Sequence, residues 1–323
     1  MTGSDAEAEA ADVAEVAQGF SRLEEAVSSV IVGQREPLRL AYITLLCEGH
    51  SLFEGVPGVA KTLLVSTLSR CLDLDYGRVQ FTPDLMPADI VGTPILRPTG
   101  ADMVFRPGPL FTTVLLADEI NRAPAKTQAA LLEAMQEGAA TVDGTRHPLD
   151  TCFTVFATQN PVEQEGTYPL PEAELDRFLF KVCVDYPSER EEVALLARHH
   201  DPTSERPLDA VMARSVLLAA RAAVRRVTVR DELVAYVAEL VRATRADVRF
   251  ALGASPRAGV MLLRAAKANA ALEGRDFALP EDVQQMWAPA LRHRVVLDPA
   301  AEVEGMSADE ALLGSLASVT VPR

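Results

Sequence analysis

The sequence predicts an α/β domain on a central parallel sheet, followed by an all-α domain. Three observations carry that prediction. Between about residues 50 and 187, short apolar runs alternate with helical spacing, as strands buried on both faces of a parallel sheet do. After Pro187 the apolar runs stop and helical spacing continues alone. The first apolar run leads directly into "GVPGVAKT" (residues 55–62), which is close to the phosphate-binding pattern G-x-x-x-x-G-K-[S/T].

The elements follow in chain order. Residues 1–20 are read as an acidic, flexible N-terminus, with helical spacing setting in over "ADVAEVAQGFSRLEEAVSSV". "IVGQREPLRLAYITLL" reads as a short turn and a second helix. "HSLFEG" is a strand running into the loop, and "KTLLVSTLSRCL" is the helix leaving it. "GRVQF", "TTVLLADE", "CFTVFAT" and "FLFKVCVDYP" supply four more strands, so residues 21–188 form the α/β domain. Residues 189–323 hold the helical domain, with start signals at Ser188, Asp231, Ser255 and Pro280. Two segments fit neither pattern. Residues 82–110 are too rich in Pro and Gly for a helix, and "GAATVDGTRHPLD" (138–150) sets Asp-Gly between β-prone segments, a hairpin signal.

Bulk properties exclude several classes. At 323 residues, with 48% hydrophobic and 24% charged residues, the chain has a globular balance and room for two domains. No apolar run approaches the roughly 18 residues of a membrane span. The acidic N-terminus lacks the basic and apolar regions of a secretory signal, and Cys47, Cys71, Cys152 and Cys183 form no C-x-x-C pair. Buried free thiols in a reducing cytoplasm are therefore expected. The histidines show no metal-ligand spacing; adjacent His199 and His200 point about 100° apart on a helix. A net charge of −15 repels a phosphate backbone, which disfavours nucleic acid as a partner.

The loop must wrap the phosphates of ATP in backbone N–H groups, offer an ammonium to the β and γ oxygens and give a hydroxyl to Mg²⁺. Gly55 opens it, Val56, Pro57, Gly58 and Val59 shape it, and Lys61, Thr62 and Leu63 lead into the helix. Ala60 stands where the pattern has its second glycine. One methyl group is tolerated wherever φ is negative, so the loop is expected to survive the change. Lysine occurs four times in the chain, against 27 arginines, so Lys61 at this spacing is unlike a chance turn.

Three further strand ends carry chemistry. "TTVLLADEINRA" delivers Asp118 and Glu119 at the carboxyl edge of a sheet, where open α/β sheets place ligands. Asp118 would hold Mg²⁺ together with Thr62, and Glu119 would take a proton from the attacking water. "CFTVFATQNPVEQEG" ends its strand at Asn160, a neutral amide able to hydrogen-bond the γ-phosphate or the water, or simply to begin a turn. In "PEAELDRFLFKV", Arg177 either reaches a neighbouring subunit's phosphate or forms a surface salt bridge with Glu174 or Asp176.

Together, "GVPGVAKT", "LLADEINRAPAKTQAALLEAMQE", "FATQNPVEQEGTYPLPEAELDRF" and "ASPRAGVMLLRAAKANA" resemble the MoxR family of AAA+ ATPases over roughly residues 20–310. The resemblance implies an AAA+ core with a helical lid. It makes Asn160 sensor 1, Arg177 the arginine finger, Arg257 sensor 2 and Arg122 a second interface arginine. "IVGQ", with Val32 and Gly33, resembles the adenine-side box. The two unassigned segments resemble the family's hairpin insertions, read as moving parts that touch a client or as plain surface loops. The resemblance further implies a homo-hexameric ring that remodels or matures protein clients, often ones with a von Willebrand factor A domain. A magnesium-chelatase-type motor subunit, a helicase relative and a nucleotide-gated scaffold stand as alternatives. The combination of Glu119, Asn160 and Arg177 argues against a scaffold, which needs none of them.

Overall fold

A computed structural model describes residues 12–96, 103–160, 167–200 and 209–322. Helix α1 (Val13–Ser28) begins inside the stretch expected to be flexible; residues 1–11 lie outside the described residues. Then come α2 (Arg35–Leu46), β1 (Ser51–Glu54), α3 (Lys61–Cys71), β2 (Tyr76–Gln80), the short helix α4 (Pro87–Val91), β3 (Gly92–Leu96) and β4 (Met103–Pro107). The sheet resumes with β5 (Val114–Asp118), followed by α5 (Ala125–Glu137), β6 (Ala139–Val142), β7 (Thr145–Pro148), β8 (Thr154–Gln159), α6 (Glu172–Leu175) and β9 (Phe180–Cys183). Beyond it lie α7 (Glu189–His200), α8 (Arg214–Arg226), α9 (Asp231–Ala246), β10 (Phe250–Leu252), α10 (Pro256–Leu272), α11 (Pro280–Leu291), β11 (Val296–Leu297), α12 (Pro299–Val303) and α13 (Ala308–Ser318).

The main sheet has the order β2-β5-β8-β1-β9, and all its pairs are parallel. Every strand therefore ends on the same edge, bringing Glu54, Asp118 and Gln159 close together in register. Alternation sorts the apolar residues to two faces. Phe53, Leu116 and Phe156 face one core with α1–α3, while Leu52, Leu115 and Val155 face the other with α4 and α5.

The first core does not stop at residue 188. It runs from Leu23 and Tyr42 of the N-terminal helices to Leu217, Leu262 and Trp287 of the later ones. A buried polar bridge crosses it. Arg39 donates to Asn269 Oδ1 at 2.7 and 3.0 Å, and Asn269 donates onward to Asp282 at 2.9 Å.

Three expectations need correction. The helical part is not purely α, because β10 and β11 form a short antiparallel ribbon. Residues 82–110 contain the five-residue helix α4, held at its start by the Asp89 carboxylate on the Met86 amide. Cys183 is exposed, whereas the other three thiols are buried and all four are free.

Both unassigned segments form hairpins. β3 pairs with β4, their connection 97–102 lying outside the described residues, and β6 pairs with β7 across Asp143 and Gly144. Those two turn residues have φ +47° and +77°, the left-handed pair that a two-residue hairpin turn needs. The hairpins also meet, with the rings of Phe105 and His147 stacked at 4.0 Å between centroids.

Candidate nucleotide site

Lys61 and Thr62 open helix α3, immediately after the loop that leaves β1. A helix start leaves backbone N–H groups without partners, which suits an anion. The cleft at this point has a volume of about 350 Å³. Its lining joins Lys61 and Thr62 to Asp118 and Glu119 at the end of β5, and to Thr158, Gln159 and Asn160 at the end of β8. Pro57, Gly58, Ala60 and Leu63 complete the loop side. Val59 is buried beneath it, Val56 packs on the core, and Gly55 gives its carbonyl to the Lys61 ammonium.

The loop is strained at the position where it departs from the pattern. Ala60 has φ +61° and ψ +23°, left-handed backbone in which an L-residue costs about 1–2 kcal/mol. The expectation that this alanine keeps a negative φ is therefore overturned. The loop adopts the glycine conformation and the methyl group is carried along. Gly58, at φ +87°, keeps the freedom its position requires.

The acidic pair is held by neighbouring strands. Thr158, buried on β8, donates its hydroxyl to Asp118 Oδ1 at 2.6 Å and accepts the Glu119 amide at 2.8 Å. This pair of bonds fixes Glu119 in left-handed backbone at φ +56°. Its carboxylate takes Gln80 Nε2 at 2.7 Å and Arg122 Nη1 at 2.9 Å. Arg122, implied as an interface arginine, is thus engaged with Glu119 of its own chain. Asp118 Oδ2 accepts both Nη2 and Nε of Arg78, at 2.6 and 3.1 Å. Burial lowers the Lys61 pKa from its ordinary value, while Asp118, Glu119 and Glu54 pull it back up. Glu54 is itself paired with Lys181 at 2.7 Å and with Gln159.

The donor set fits a hard divalent cation. Thr62 Oγ1 lies 3.5 Å from Asp118 Oδ2, so a hydroxyl and a carboxylate oxygen face each other at the cleft's edge. Among the described residues, no cluster of three or more His, Cys, Asp or Glu forms a protein-only metal cage. A cation here would complete its shell with phosphate oxygens and water.

Other assigned residues lie elsewhere. Arg177 lines a separate depression of about 610 Å³ with Glu133 and Glu137 of α5, Arg146 and Glu174. Of its two suggested salt-bridge partners, Asp176 is taken by Arg294, and among the described residues no ion pair joins Arg177 to Glu174. Arg257 is exposed on the first turn of α10, outside the lining of the cleft; its charge bears on Arg294 instead. Val32 and Gly33 precede α2 and do not line the cleft; a Cβ on Gly33, at φ +82°, would meet the Glu191 carboxylate at 2.7 Å.

Sequence reasoning missed Arg78, Gln80 and Thr158. The available signal was two polar residues at i and i+2 in "YGRVQ", which share one face of a strand. That they face the acidic pair depends on β2 lying beside β5, which the sequence does not state.

The sequence and the architecture have close counterparts. The sequence model described as "ATPase family associated with various cellular activities (AAA)" matches residues 50–180, and an AAA lid domain model matches residues 242–313. Chaperone MoxR1 of Mycobacterium tuberculosis is 42% identical over 308 residues, spanning 92% of this chain and 81% of that one. YeaC of Bacillus subtilis is 43% identical over 298 residues, spanning 92% and 93%. MoxR of Paracoccus denitrificans is 34% identical over 331 residues, spanning 94% and 96%. A crystal structure of a candidate ATPase from Cytophaga hutchinsonii superposes with a TM-score of 0.89 at 40% identity, covering 96% of this chain and 97% of that one.

Proposed function

Because this chain belongs to the MoxR family of AAA+ ATPases, we propose that it hydrolyses ATP with magnesium in a homo-hexameric ring and uses the cycle to remodel or mature partner proteins, von Willebrand factor A domain proteins among them. The observation that carries this reading is the meeting of Lys61, Thr62, Asp118, Glu119 and Asn160 in one cleft at the carboxyl edge of a parallel sheet. A helicase or motor subunit would carry the same cleft, so the chaperone-like role is supported by the named relatives. A relative of 42% identity is named a chaperone, and the β3–β4 hairpin offers a client an apolar edge, with Ile95, Leu96 and Met103 all exposed.

Each residue has a role in this reading. Lys61 leaves the Gly55 carbonyl for the β and γ oxygens, and the loop amides wrap the remaining phosphate. Thr62 and Asp118 would hold magnesium, whose charge would offset that developing on the transferred phosphate. Glu119, once released by Gln80 and Arg122, takes the proton of the attacking water. Asn160 orients that water against the γ-phosphate. Arg177 acts from a neighbouring subunit, consistent with its place outside its own chain's cleft. Arg257 completes the charge from the lid, and Val32 and Gly33 border the adenine. The site of action is the cytoplasm.

The test is a pair of variants. Lys61→Ala is expected to lose binding of a fluorescent ATP analogue, and Glu119→Gln to retain binding while phosphate release falls by at least a hundredfold, about 2.7 kcal/mol of barrier. Equal nucleotide affinity in wild type and Lys61→Ala would sink the reading.

A further inference from the structure

Edge strand β2 places a cation on the acidic pair. Arg78 sets two N–H groups on Asp118 Oδ2, the same oxygen that faces the Thr62 hydroxyl across 3.5 Å. The other oxygen, Oδ1, is taken by Thr158. The carboxylate oxygen suited to a divalent cation is thus already satisfied by a guanidinium. Two cations do not share one oxygen cheaply, because like charges at this range repel. The two partners also differ in freedom. The Arg78 side chain is 49% exposed and the Asp118 side chain 12%, so the arginine is the partner able to leave.

The arginine is wired to the base as well. Arg78 Nη2 donates to Gln80 Oε1 at 3.1 Å, and Gln80 Nε2 donates to Glu119 Oε2 at 2.7 Å. One amide is therefore oriented by Arg78 at its oxygen and spends its N–H on the carboxylate that would deprotonate water. Loss of the first bond leaves the amide free to rotate about χ3 and drop the second.

We infer that Arg78 competes with the divalent cation for Asp118, and that its departure releases the Gln80 bond to Glu119, one of the two side-chain bonds that hold the base, the other being from Arg122. Arg78 is then a positioning residue that ties metal arrival to loosening of the base. This rests on the reading of Thr62 and Asp118 as metal ligands.

The test titrates magnesium into full-length protein at fixed fluorescent ATP analogue and follows bound nucleotide. Arg78→Gln is expected to reach half-saturation at about three- to tenfold less magnesium than wild type, the worth of a half-exposed ion pair. Arg78→Lys, which keeps the charge, should stay within about twofold of wild type. Gln80→Leu should leave the magnesium midpoint in place, and at magnesium below the wild-type midpoint Arg78→Gln should release phosphate about three- to tenfold faster than wild type. Arg78→Met serves if the glutamine variant does not fold. A midpoint that stays put or moves to higher magnesium in Arg78→Gln, with wild-type binding still magnesium-dependent, overturns the role of Arg78 alone. Wild-type nucleotide binding that ignores magnesium overturns the Thr62–Asp118 reading and this inference with it.

Discussion

Arg294, in the turn between α11 and β11, donates to the carboxylate of Asp176 at 2.7 Å, so the residue before Arg177 is fastened to the helical part of the chain. The same guanidinium donates to the carbonyls of Asp176 and Leu179 at 3.0 and 3.1 Å. Its side chain is 1% exposed, and burial lowers its pKa to about 10 even with Asp176 beside it. Removing the carboxylate would leave a buried charge with only neutral partners, backbone carbonyls and the Met261 sulfur. Asp176→Ala is expected to cost about 3 kcal/mol in urea unfolding, with Asp176→Asn costing less. A change below about 0.5 kcal/mol, the usual size of a surface effect, would show that the pair is a surface contact in solution.

Ala60 sets up a test with the opposite sign. Ala60→Gly relieves left-handed strain worth about 1–2 kcal/mol and returns about 0.5–1 kcal/mol to the unfolded chain as entropy. The variant is expected to bind ATP at least as tightly as wild type and to melt at the same temperature or a few degrees higher. Ala60→Val should do the reverse on both counts, since a β-branched residue is worse still at φ +61°. Thermal melts with and without nucleotide check it.

The placement of Arg177 leads to a mixing experiment. Arg177→Ala should bind ATP and hydrolyse it poorly, and Lys61→Ala should do neither. If the arginine serves a neighbour's site, some interfaces in a mixture pair an intact loop with an intact Arg177, and phosphate release returns. A finger acting within its own chain gives no rescue at any mixing ratio. Two fluorescent labels confirm that subunits exchange.

His50 makes stability depend on pH. It is buried between β8 and α5, where its Nδ1 accepts the Val155 amide at 2.9 Å and its Nε2 donates to the Met135 carbonyl across 3.2 Å. A proton on Nδ1 would face an N–H group, and burial pushes the pKa from 6.5 down to about 4. Because the folded value lies below the unfolded one, the unfolded chain binds the proton first as pH falls. Stability from this group is intact above pH 6.5 and is lost between 6.5 and 4, about 3 kcal/mol in all. Buried His293 shifts in the same direction and adds to the loss. Urea unfolding of wild type and His50→Leu at pH 7 and pH 4.5 should show a shallower pH slope in the variant; equal slopes would remove His50 from the account.

Reading the sequence alone succeeded where the signal is local. The strand–loop–helix at residues 50–72, the apolar run ending in Asp118-Glu119 and the Asp-Gly turn at 143–144 are each set by residues within a few positions of one another. It failed where the partner comes from another strand. Arg78 lies 40 residues from Asp118, and only the order β2-β5-β8 brings the two together. Arg294 reaches Asp176 across 118 residues, so the choice among partners for that carboxylate could not be made from spacing. The ribbon of β10 and β11 has three and two residues, too few for alternation to register. Ala60 was misjudged for a different reason, since residue type does not report φ.

The core shared between the first two helices and the later ones has a consequence for synthesis. Arg39 and its partner Asn269 are 230 residues apart. At roughly 5–20 residues per second, the N-terminal helices wait some ten to fifty seconds for the segment that covers them. Throughout that interval Leu23, Leu38 and Tyr42 lack part of the surface they finally pack against. The chain therefore closes this core only late in its synthesis, once both ends have been made.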